Sequence, residues 1–202
     1  MASYIRIESN NIKKVLQNTF NHCSGHVYPL ITVDKHVCVL LGHNAKYNNV
    51  ASFGGFSEQY EGSETKESLL DTILREYTEE SLGCITDEET MKQKLFESSA
   101  LITRESPKGH HYTAFSFIDG LNVDFVKANE NFKHIRENSI NDLTKGQLEN
   151  DQLVCVPLEN IKKSDTGEMA NLTVNDIFGK DVSIRGINLP AYRWLLSSGF
   201  VS

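Results

Sequence analysis

The chain has 202 residues, of which 39% are hydrophobic and 23% charged, and its formal net charge is −7. This composition is typical of a globular domain that can bury a core, and it excludes a disordered chain. The acidic balance argues against a broad nucleic-acid-binding surface, although a local basic groove stays compatible with it. The four cysteines form no C-x-x-C pair, so no disulfide scaffold is indicated.

The sequence carries no signal for a membrane or for secretion. No apolar run approaches the roughly 18 residues of a transmembrane helix. The N-terminal residues Met-Ala-Ser-Tyr-Ile-Arg lack the apolar stretch of a signal peptide. We therefore expect a cytoplasmic protein without a membrane partner, organised as one domain over residues 1–202 with helical additions at both termini.

Hydrophobic periodicity predicts an alternation of helices and strands along the chain. Before the central helix it predicts a helix at 12–20, a hairpin of 28–33 with 36–41, and a strand at 50–53. After the central helix, the pattern predicts a helix from a Thr86/Glu89 capping box to about Leu95 and a hairpin of 96–103 with 112–118. It then predicts a helix at 126–135, a strand at 153–156, and a helix from Pro190 to Gly199. This order indicates an α/β (α+β) sandwich with a mixed sheet.

The segment 67–82 combines a helical pattern with an unusual group of acids. Leu69, Leu70, Ile73, Leu74 and Tyr77 form an apolar stripe with helical period. Glu76, Glu79 and Glu80 stand at i, i+3 and i+4, within an arc roughly 100° wide that flanks the stripe. Like charges at this spacing weaken a helix. A divalent cation is the simplest compensation, because Mg²⁺ prefers carboxylate oxygens.

The residue types of this segment, in their order along the chain, resemble the sequence motif called the Nudix box. Arg75-Glu76-Tyr77-Thr78-Glu79-Glu80 resembles its Arg-Glu-apolar-x-Glu-Glu core, and Glu67 stands before Arg75 at the spacing the box requires. Gly54-Gly55 resembles the opening glycines, and Gly83 with the following apolar residue resembles the closing pair. The resemblance implies a Nudix-like α/β/α sandwich and a metal-dependent pyrophosphohydrolase.

Two spacings depart from the family's pattern. Eleven residues separate Gly55 from Glu67, more than in the usual box, and an enlarged polar loop would accommodate them. Ser81 and Leu82 both lie between Glu80 and Gly83, one residue more than usual. The second departure places the C-terminal turn of the helix in question, but not the glutamate cluster.

The resemblance implies a role for each box residue. Glu76, Glu79 and Glu80, with the backbone of Gly55, would hold Mg²⁺ or Mn²⁺, and Arg75 would orient a box carboxylate. The alternatives are a plain i,i+4 surface pair for Arg75 and a simple turn glycine for Gly55. The general base would be a box glutamate such as Glu76, or Glu149 from a later loop; the alternative for Glu149 is a solvated loop acid.

Residues outside the box are candidates for contacting substrate. Tyr47 and Phe56 offer surfaces on which a base could stack. One of His110 and His111 could contact a base or a phosphate, since an alternating strand points only one of them inward. We select Tyr47, Phe56 and His111 as the substrate-binding candidates.

Three functions fit these features. The first is hydrolysis of a nucleoside diphosphate linked to another moiety, such as ADP-ribose, a dinucleoside polyphosphate or NADH. The second is hydrolysis of an mRNA cap, which would need a basic RNA groove. The third is a non-catalytic nucleotide sensor, which would not need three mutually repelling carboxylates. We favour the first, with a small-molecule nucleotide as partner; the sequence leaves open whether the chain forms a homodimer.

Overall fold

The computed structural model describes residues 4–97, 99–106, 111–168 and 170–200. Its strands are β1 (Ile5–Ile7), β2 (Cys23–Val33), β3 (His36–Asn44), β4 (Asn49–Ala51), β5 (Phe53–Phe56), β6 (Ser99–Glu105), β7 (Tyr112–Ile118), β8 (Gln152–Pro157), β9 (Leu172–Asn175) and β10 (Asp181–Ile184). Its helices are α1 (Ser9–Leu16), α2 (Leu69–Ser81), α3 (Glu88–Glu97), α4 (Phe125–Asn138), α5 (Leu158–Ser164) and α6 (Leu189–Ser198), with a 3₁₀ turn at Gly186–Asn188.

The long strand β2 joins two parts of a mixed sheet. Its first half pairs parallel with β7 and antiparallel with β5, and its second half pairs antiparallel with β3. From β7 the sheet continues to β6 and β1, and from β3 it continues to β8 on one side and to β4, β10 and β9 on the other. The two parts diverge from β2, so a cleft can open between them.

Helices cover both faces of this sheet. On one face α1, α2, α3 and α4 contribute to a core that includes Leu16, Ile73, Leu95 and Phe132. On the other face α5 and α6 contribute Ile161 and Tyr192 to a second core. The arrangement confirms the predicted α/β class with a mixed sheet between helical layers.

Helix α2 lies close against β2 and β5. Ser68 caps it by accepting a 3.1 Å hydrogen bond from the Asp71 backbone N–H. A Cβ atom at Gly25 of β2 would lie 2.5 Å from Ile73 Cγ1, so the glycine permits the close approach of helix and sheet. Tyr77 packs edge-on against Phe53, with ring centroids 6.0 Å apart. The apolar stripe predicted from the sequence is therefore the face that α2 buries.

The extra residue after Glu80 is absorbed at the end of α2. The helix stops at Ser81, and Leu82 takes a left-handed conformation with φ of 52°. The Leu82 N–H still bonds to the Glu79 carbonyl, and Gly83 follows with φ of 64°. The irregular spacing changes the exit turn and leaves the glutamates on the helix.

Several element boundaries differ from the predictions. Helix α1 starts earlier and ends at Leu16, and the predicted strand at 50–53 is divided into β4 and β5, which places Gly54 and Gly55 inside a strand. The predicted capping by Thr86 is wrong: Asp87 accepts the Thr90 N–H at 2.9 Å, because its carboxylate is closer to the helix start. Helix α5 and the hairpin of β9 and β10 were not predicted. None of the helices in the described ranges combines the length and apolar character of a membrane span.

Candidate functional site

Glu67 anchors the long loop to the start of α2. Its carboxylate accepts the Glu58 backbone N–H at 3.0 Å and the Thr72 hydroxyl at 3.3 Å. Both of its oxygens also receive hydrogen bonds from Arg75, at 2.7 and 3.1 Å. The residue is buried, so this bidentate pair compensates its charge.

Arg75 links Glu67 to the acidic face of the helix. Its Nη1 donates to Glu76 Oε1 at 2.9 Å and, with a longer contact of 3.4 Å, to Glu79 Oε2. Its Nη2 also donates to the carbonyl of Phe56 at 3.0 Å. The guanidinium therefore contacts three carboxylates and the end of β5, which is more than a plain i,i+4 surface pair.

The three box glutamates occupy different surroundings. A Cβ atom at Gly55 would lie 2.3 Å from Glu76 Oε1, and one at Gly146 would lie 2.7 Å from Glu79 Oε2. Glu80 is 8% exposed, and the backbone N–H of Gly54 donates to its Oε2 at 2.7 Å. Glycines thus give the backbone close access to two of the carboxylates, and a backbone donor holds the third.

The carboxylates of this cluster repel one another. Burial raises the pKa of Glu80 well above its ordinary value, and the charges of Glu76, Glu149 and Glu79 raise it further. Burial also raises the pKa of Glu76, and the charges of Glu79 and Glu149 add to this against the opposing effect of Arg75. Glu149, remote in sequence, therefore belongs to the same electrostatic group as the helix glutamates.

The donor chemistry of this group fits a hard divalent cation, because all its side-chain donors are carboxylate oxygens and their charges are in excess. In the part of the chain that the structure describes, however, no three His, Cys, Asp or Glu side chains converge as a ready-made metal site. Arg75 holds Glu76 and Glu79 instead. A cation would have to compete with Arg75 for these two carboxylates.

The loop that carries Glu149 is fixed to α2, α4 and β3. Arg136 of α4 donates to the carbonyls of Leu148 at 3.2 Å and Asn150 at 2.6 Å. The Asn150 amide donates to the Glu80 carbonyl at 3.3 Å. A Cβ atom at Gly42 would lie 2.1 Å from Asn150 Nδ2, so the glycine leaves room for this side chain. These contacts bring a residue from the second half of the chain beside the acidic helix.

A cavity of about 510 Å³ lies beside the cluster, where the two parts of the sheet diverge. Its lining includes Gly55, Glu80, Glu149 and all three predicted substrate-binding residues, Tyr47, Phe56 and His111. Arg75, Glu76 and Glu79 are outside this lining. Phe56 is 70% exposed, so its ring is accessible from the cavity rather than packed in the core.

Burial lowers the pKa of two histidines of the cavity, His26 and His111. Burial, with smaller contributions from the charges of Arg185 and His111, lowers the pKa of His26 to about 4. Burial also lowers the pKa of His111, whose Nε2 lies 3.0 Å from the Ser24 hydroxyl. The His111 ring meets Phe56 edge-on, with centroids 5.4 Å apart. His110, the other histidine considered, lies outside the described residues.

Other polar residues of the cavity were not predicted from the sequence. They include His26, Asn49, Arg104, Asn150, Arg185 and Asn188. They come from β2, β4, β6, the Glu149 loop, and the segment after β10, and no local motif relates them. Only strand pairing brings them together, so no signal within a short window of sequence could have identified them.

Comparisons with known proteins give only remote similarities. No protein-family model and no curated protein matches the sequence. Among solved structures, a MutT/Nudix family protein from Enterococcus faecalis is 16% identical with a TM-score of 0.42; the alignment covers 86% of this chain and 61% of that one. The chain therefore spans less than two thirds of that protein's length.

Two further structures have similar statistics. A MutT/Nudix family protein from Listeria innocua is 15% identical over 90% of this chain and 95% of its own, with a TM-score of 0.42. The Nudix domain of Shewanella oneidensis NrtR, in complex with ADP-ribose, is 11% identical over 78% of this chain and 87% of its own, with a TM-score of 0.35. Similarities this low assign neither a ligand nor an activity. The chain's own mixed sheet between helical layers, its glycine-bearing β5 and its acidic α2 agree with the α/β fold expected from its resemblance to the Nudix box.

Proposed function

We propose that this chain acts as a single-domain, divalent-metal-dependent hydrolase of the pyrophosphate in a nucleoside diphosphate linked to another moiety. The observation that carries the proposal is the electrostatic coupling of Glu76, Glu79, Glu80 and Glu149 beside a cavity with accessible aromatic rings. Such a group of acids is costly for a metal-free protein. It becomes useful where a cation and a polyanionic substrate meet.

Glu76, Glu79 and Glu80 would hold Mg²⁺ or Mn²⁺, together with the backbone of Gly55. When bound, the cation would neutralise the pyrophosphate and polarise its phosphoryl oxygens. The chain's own groups set the positions of these ligands: Arg75 orients Glu76 and Glu79, and the Gly54 N–H fixes Glu80. Positioning of this kind supplies a large part of the acceleration in phosphoryl transfer.

Glu149 is the candidate general base for the attacking water. It lines the cavity, and its charge acts on both Glu76 and Glu80. Water attacks one phosphorus in line, its proton passes to the Glu149 carboxylate, and the other phosphate leaves. Tyr47, Phe56 and His111 would contact the nucleoside or the second moiety, because their rings line the same cavity.

The decisive experiment is a product assay. The protein is incubated with ADP-ribose, dinucleoside polyphosphates, NADH, nucleoside triphosphates and capped RNA, with Mg²⁺, with Mn²⁺ or with EDTA. ADP-ribose should give AMP and ribose 5-phosphate only when a divalent cation is present. In water enriched with heavy oxygen, the label should appear on one phosphate product alone, because in-line attack strikes a single phosphorus.

The other two functions predict different outcomes of the same assay. Release of methylated GDP from capped RNA, without turnover of the small nucleotides, would replace the proposal by cap hydrolysis. Tight binding without product from any substrate would favour a nucleotide sensor. Glu79→Gln serves as the matched negative control, since it removes one charge of the cluster and keeps the side-chain size.

A further inference from the structure

One wall of the cavity carries cationic and amide groups that the proposed chemistry does not use. We define the Arg185 wall as Tyr47, Asn49, Arg185 and Asn188, which line the cavity, together with Lys46, which contacts the Tyr47 ring from outside this lining. It is built from the turn between β3 and β4, from β4 itself, and from the 3₁₀ turn that follows β10. None of these elements belongs to α2, which carries the box glutamates.

Two cations share the aromatic ring of this wall. The Arg185 guanidinium lies over the Tyr47 ring at 5.8 Å from its centroid, and Lys46 Nζ lies at 5.0 Å. Across the described ranges neither cation forms an ion pair, although Glu80 and Glu149 line the same cavity. The Arg185 guanidinium therefore contacts the ring without a hydrogen bond or ion pair to any described residue, and its N–H groups can donate to a ligand.

Two buried amides of the wall also lack protein partners. Asn49 is 7% exposed and Asn188 is 4% exposed, and neither side chain forms a hydrogen bond with any described residue. The polar atoms that are sealed from solvent without a partner lie elsewhere, on side chains such as Tyr28 and Tyr192. The amides of Asn49 and Asn188 are therefore open to the cavity that they line. Buried amides usually have partners, so these two point to a ligand.

The backbone holds these residues together. Ile184 pairs with Val50 in parallel, and the Arg185 N–H donates to the Val50 carbonyl at 3.2 Å. The Asn188 N–H in turn donates to the Arg185 carbonyl at 3.0 Å. Because Asn49 precedes Val50, the three side chains are brought to one place by sheet pairing and one tight turn.

The chemistry of the wall selects an oxygen-rich anion. A guanidinium and an ammonium are donors only, and each amide offers two N–H groups against one carbonyl oxygen. We propose that the Arg185 wall is a phosphoryl-binding site, separate from the carboxylates of α2. The inference rests on the proposed function for the identity of the substrate, but the site itself can be tested without turnover.

The phosphoryl group has two sources that share this chemistry. One is an additional phosphomonoester on the substrate, outside the scissile pyrophosphate. The other is a phosphate of the pyrophosphate itself. The test therefore has one arm that detects the site and a second arm that distinguishes the sources.

The first arm measures binding of adenosine and of AMP to the full chain in EDTA, where no cation bridges phosphate to the glutamates. AMP should bind about tenfold more tightly than adenosine, a difference of roughly 1.4 kcal/mol, because its phosphate would accept charge-assisted hydrogen bonds from the wall. Arg185→Gln should reduce this preference to about twofold or less, while Arg185→Lys should keep most of it. Asn188→Asp, close in shape but negative, should also abolish the preference and leave adenosine binding unchanged.

Arg6→Gln is the matched control. Arg6 is also exposed and lies over an aromatic ring, at 5.9 Å from the centroid of Trp194, but it does not line the cavity. Its substitution should leave the preference for AMP intact. Equal binding of adenosine and AMP to the unmodified protein would overturn the inference. Equal loss of adenosine and AMP binding in Arg185→Gln would also overturn the inference, because it would show that the wall contacts the adenine base and not the phosphate.

The second arm compares kcat/KM for NADH and NADPH with Mg²⁺, since the two differ by one phosphomonoester. A selective loss of NADPH turnover in Arg185→Gln would identify the additional phosphomonoester as the occupant. An equal loss for both would identify a phosphate of the pyrophosphate. If no substrate is hydrolysed but the preference for AMP persists in EDTA, the proposed function fails while the phosphoryl site stands.

Discussion

The backbone N–H of Gly54 donates a 2.7 Å hydrogen bond to Glu80 Oε2, and so joins β5 to the most buried carboxylate of α2. This hydrogen bond stabilises the ionised form of Glu80 and so lowers its pKa. Burial and the charges of three neighbouring carboxylates act in the opposite direction, and they dominate. The metal-free protein therefore retains a group whose charge opposes folding. Groups whose charge is disfavoured in this way cluster at functional sites, which supports the role proposed for Glu80.

Glu80→Gln should separate these two roles. The amide keeps the acceptor for the Gly54 N–H and removes the charge, so we expect the melting temperature in EDTA to rise by about 2–4 °C, equivalent to about 1 kcal/mol. Turnover with Mg²⁺ should fall at least about 100-fold. Calorimetry and the product assay measure the two effects. Near-normal turnover at saturating Mg²⁺ would show that Glu80 is not a metal ligand.

The stability gain of Glu80→Gln should depend on pH. The pKa of Glu80 is raised in the folded state above its ordinary value of 4.5, so the folded protein holds this proton more tightly than the unfolded chain. Ionised Glu80 therefore lowers the free energy of unfolding most at neutral pH. This loss of stability disappears as the pH falls through the folded-state pKa of Glu80 towards 4.5. Unfolding by urea in EDTA, from pH 7.5 down to 5, should show the advantage of the variant shrinking. A constant difference would contradict this account.

Arg75→Lys should destabilise the protein as well as impair turnover. A lysine cannot reproduce the bidentate pair with Glu67 while also donating to Glu76 and to the Phe56 carbonyl. We expect a loss of about 1–3 kcal/mol in the free energy of unfolding, because Glu67 stays buried without its partner. Urea titration measures this loss.

Arg193→Lys provides the comparison for that prediction. Arg193 also forms a bidentate pair, with both distances to Asp165 at 2.7 Å, but it lies away from the cavity. Arg193→Lys should lower stability and leave kcat unchanged. If Arg75→Lys behaved in the same way, Arg75 would have a structural role only.

Gly55→Ala should displace Glu76. The new methyl group would lie 2.3 Å from Glu76 Oε1, so the carboxylate has to move away from Arg75. We expect kcat to fall by about tenfold or more, in line with misplacement of a site group. In a Glu76→Ala background the obstruction is gone, and the same substitution should have little further effect on stability or metal binding. Additive losses in this double-mutant cycle would refute the steric explanation.

Arg136→Gln should act through the position of Glu149. Loss of the hydrogen bonds to the Leu148 and Asn150 carbonyls frees the loop, so kcat should fall about tenfold while KM changes by about twofold or less. Arg136→Lys should restore part of the rate. Lys133→Gln, on the same helix and exposed, controls for the loss of charge. A fall in stability with unchanged kcat would assign Arg136 a structural role.

Local sequence determined the acidic helix. The apolar stripe of α2 and the arc of Glu76, Glu79 and Glu80 follow from residues three and four apart, and such neighbours are fixed once the helix forms. The closing turn at Gly199 and the hairpin turn at Asp34-Lys35 were predictable for the same reason, since their backbone geometry depends on adjacent residues. The misassigned cap of α3 shows the limit, because Thr86 and Asp87 are both residue types favoured at an N-cap and only the structure selects between them.

Tertiary structure decided the rest of the site. Glu149 approaches Glu80 only because Arg136 and Asn150 fix its loop, and Arg185 reaches Tyr47 only because β10 pairs with β4. These contacts join residues that are tens of positions apart, and their formation depends on strand pairing that no local periodicity encodes. The sequence by itself therefore determined where the carboxylates stand on their helix. Only the folded sheet decided which cavity they face and which cations and amides share it.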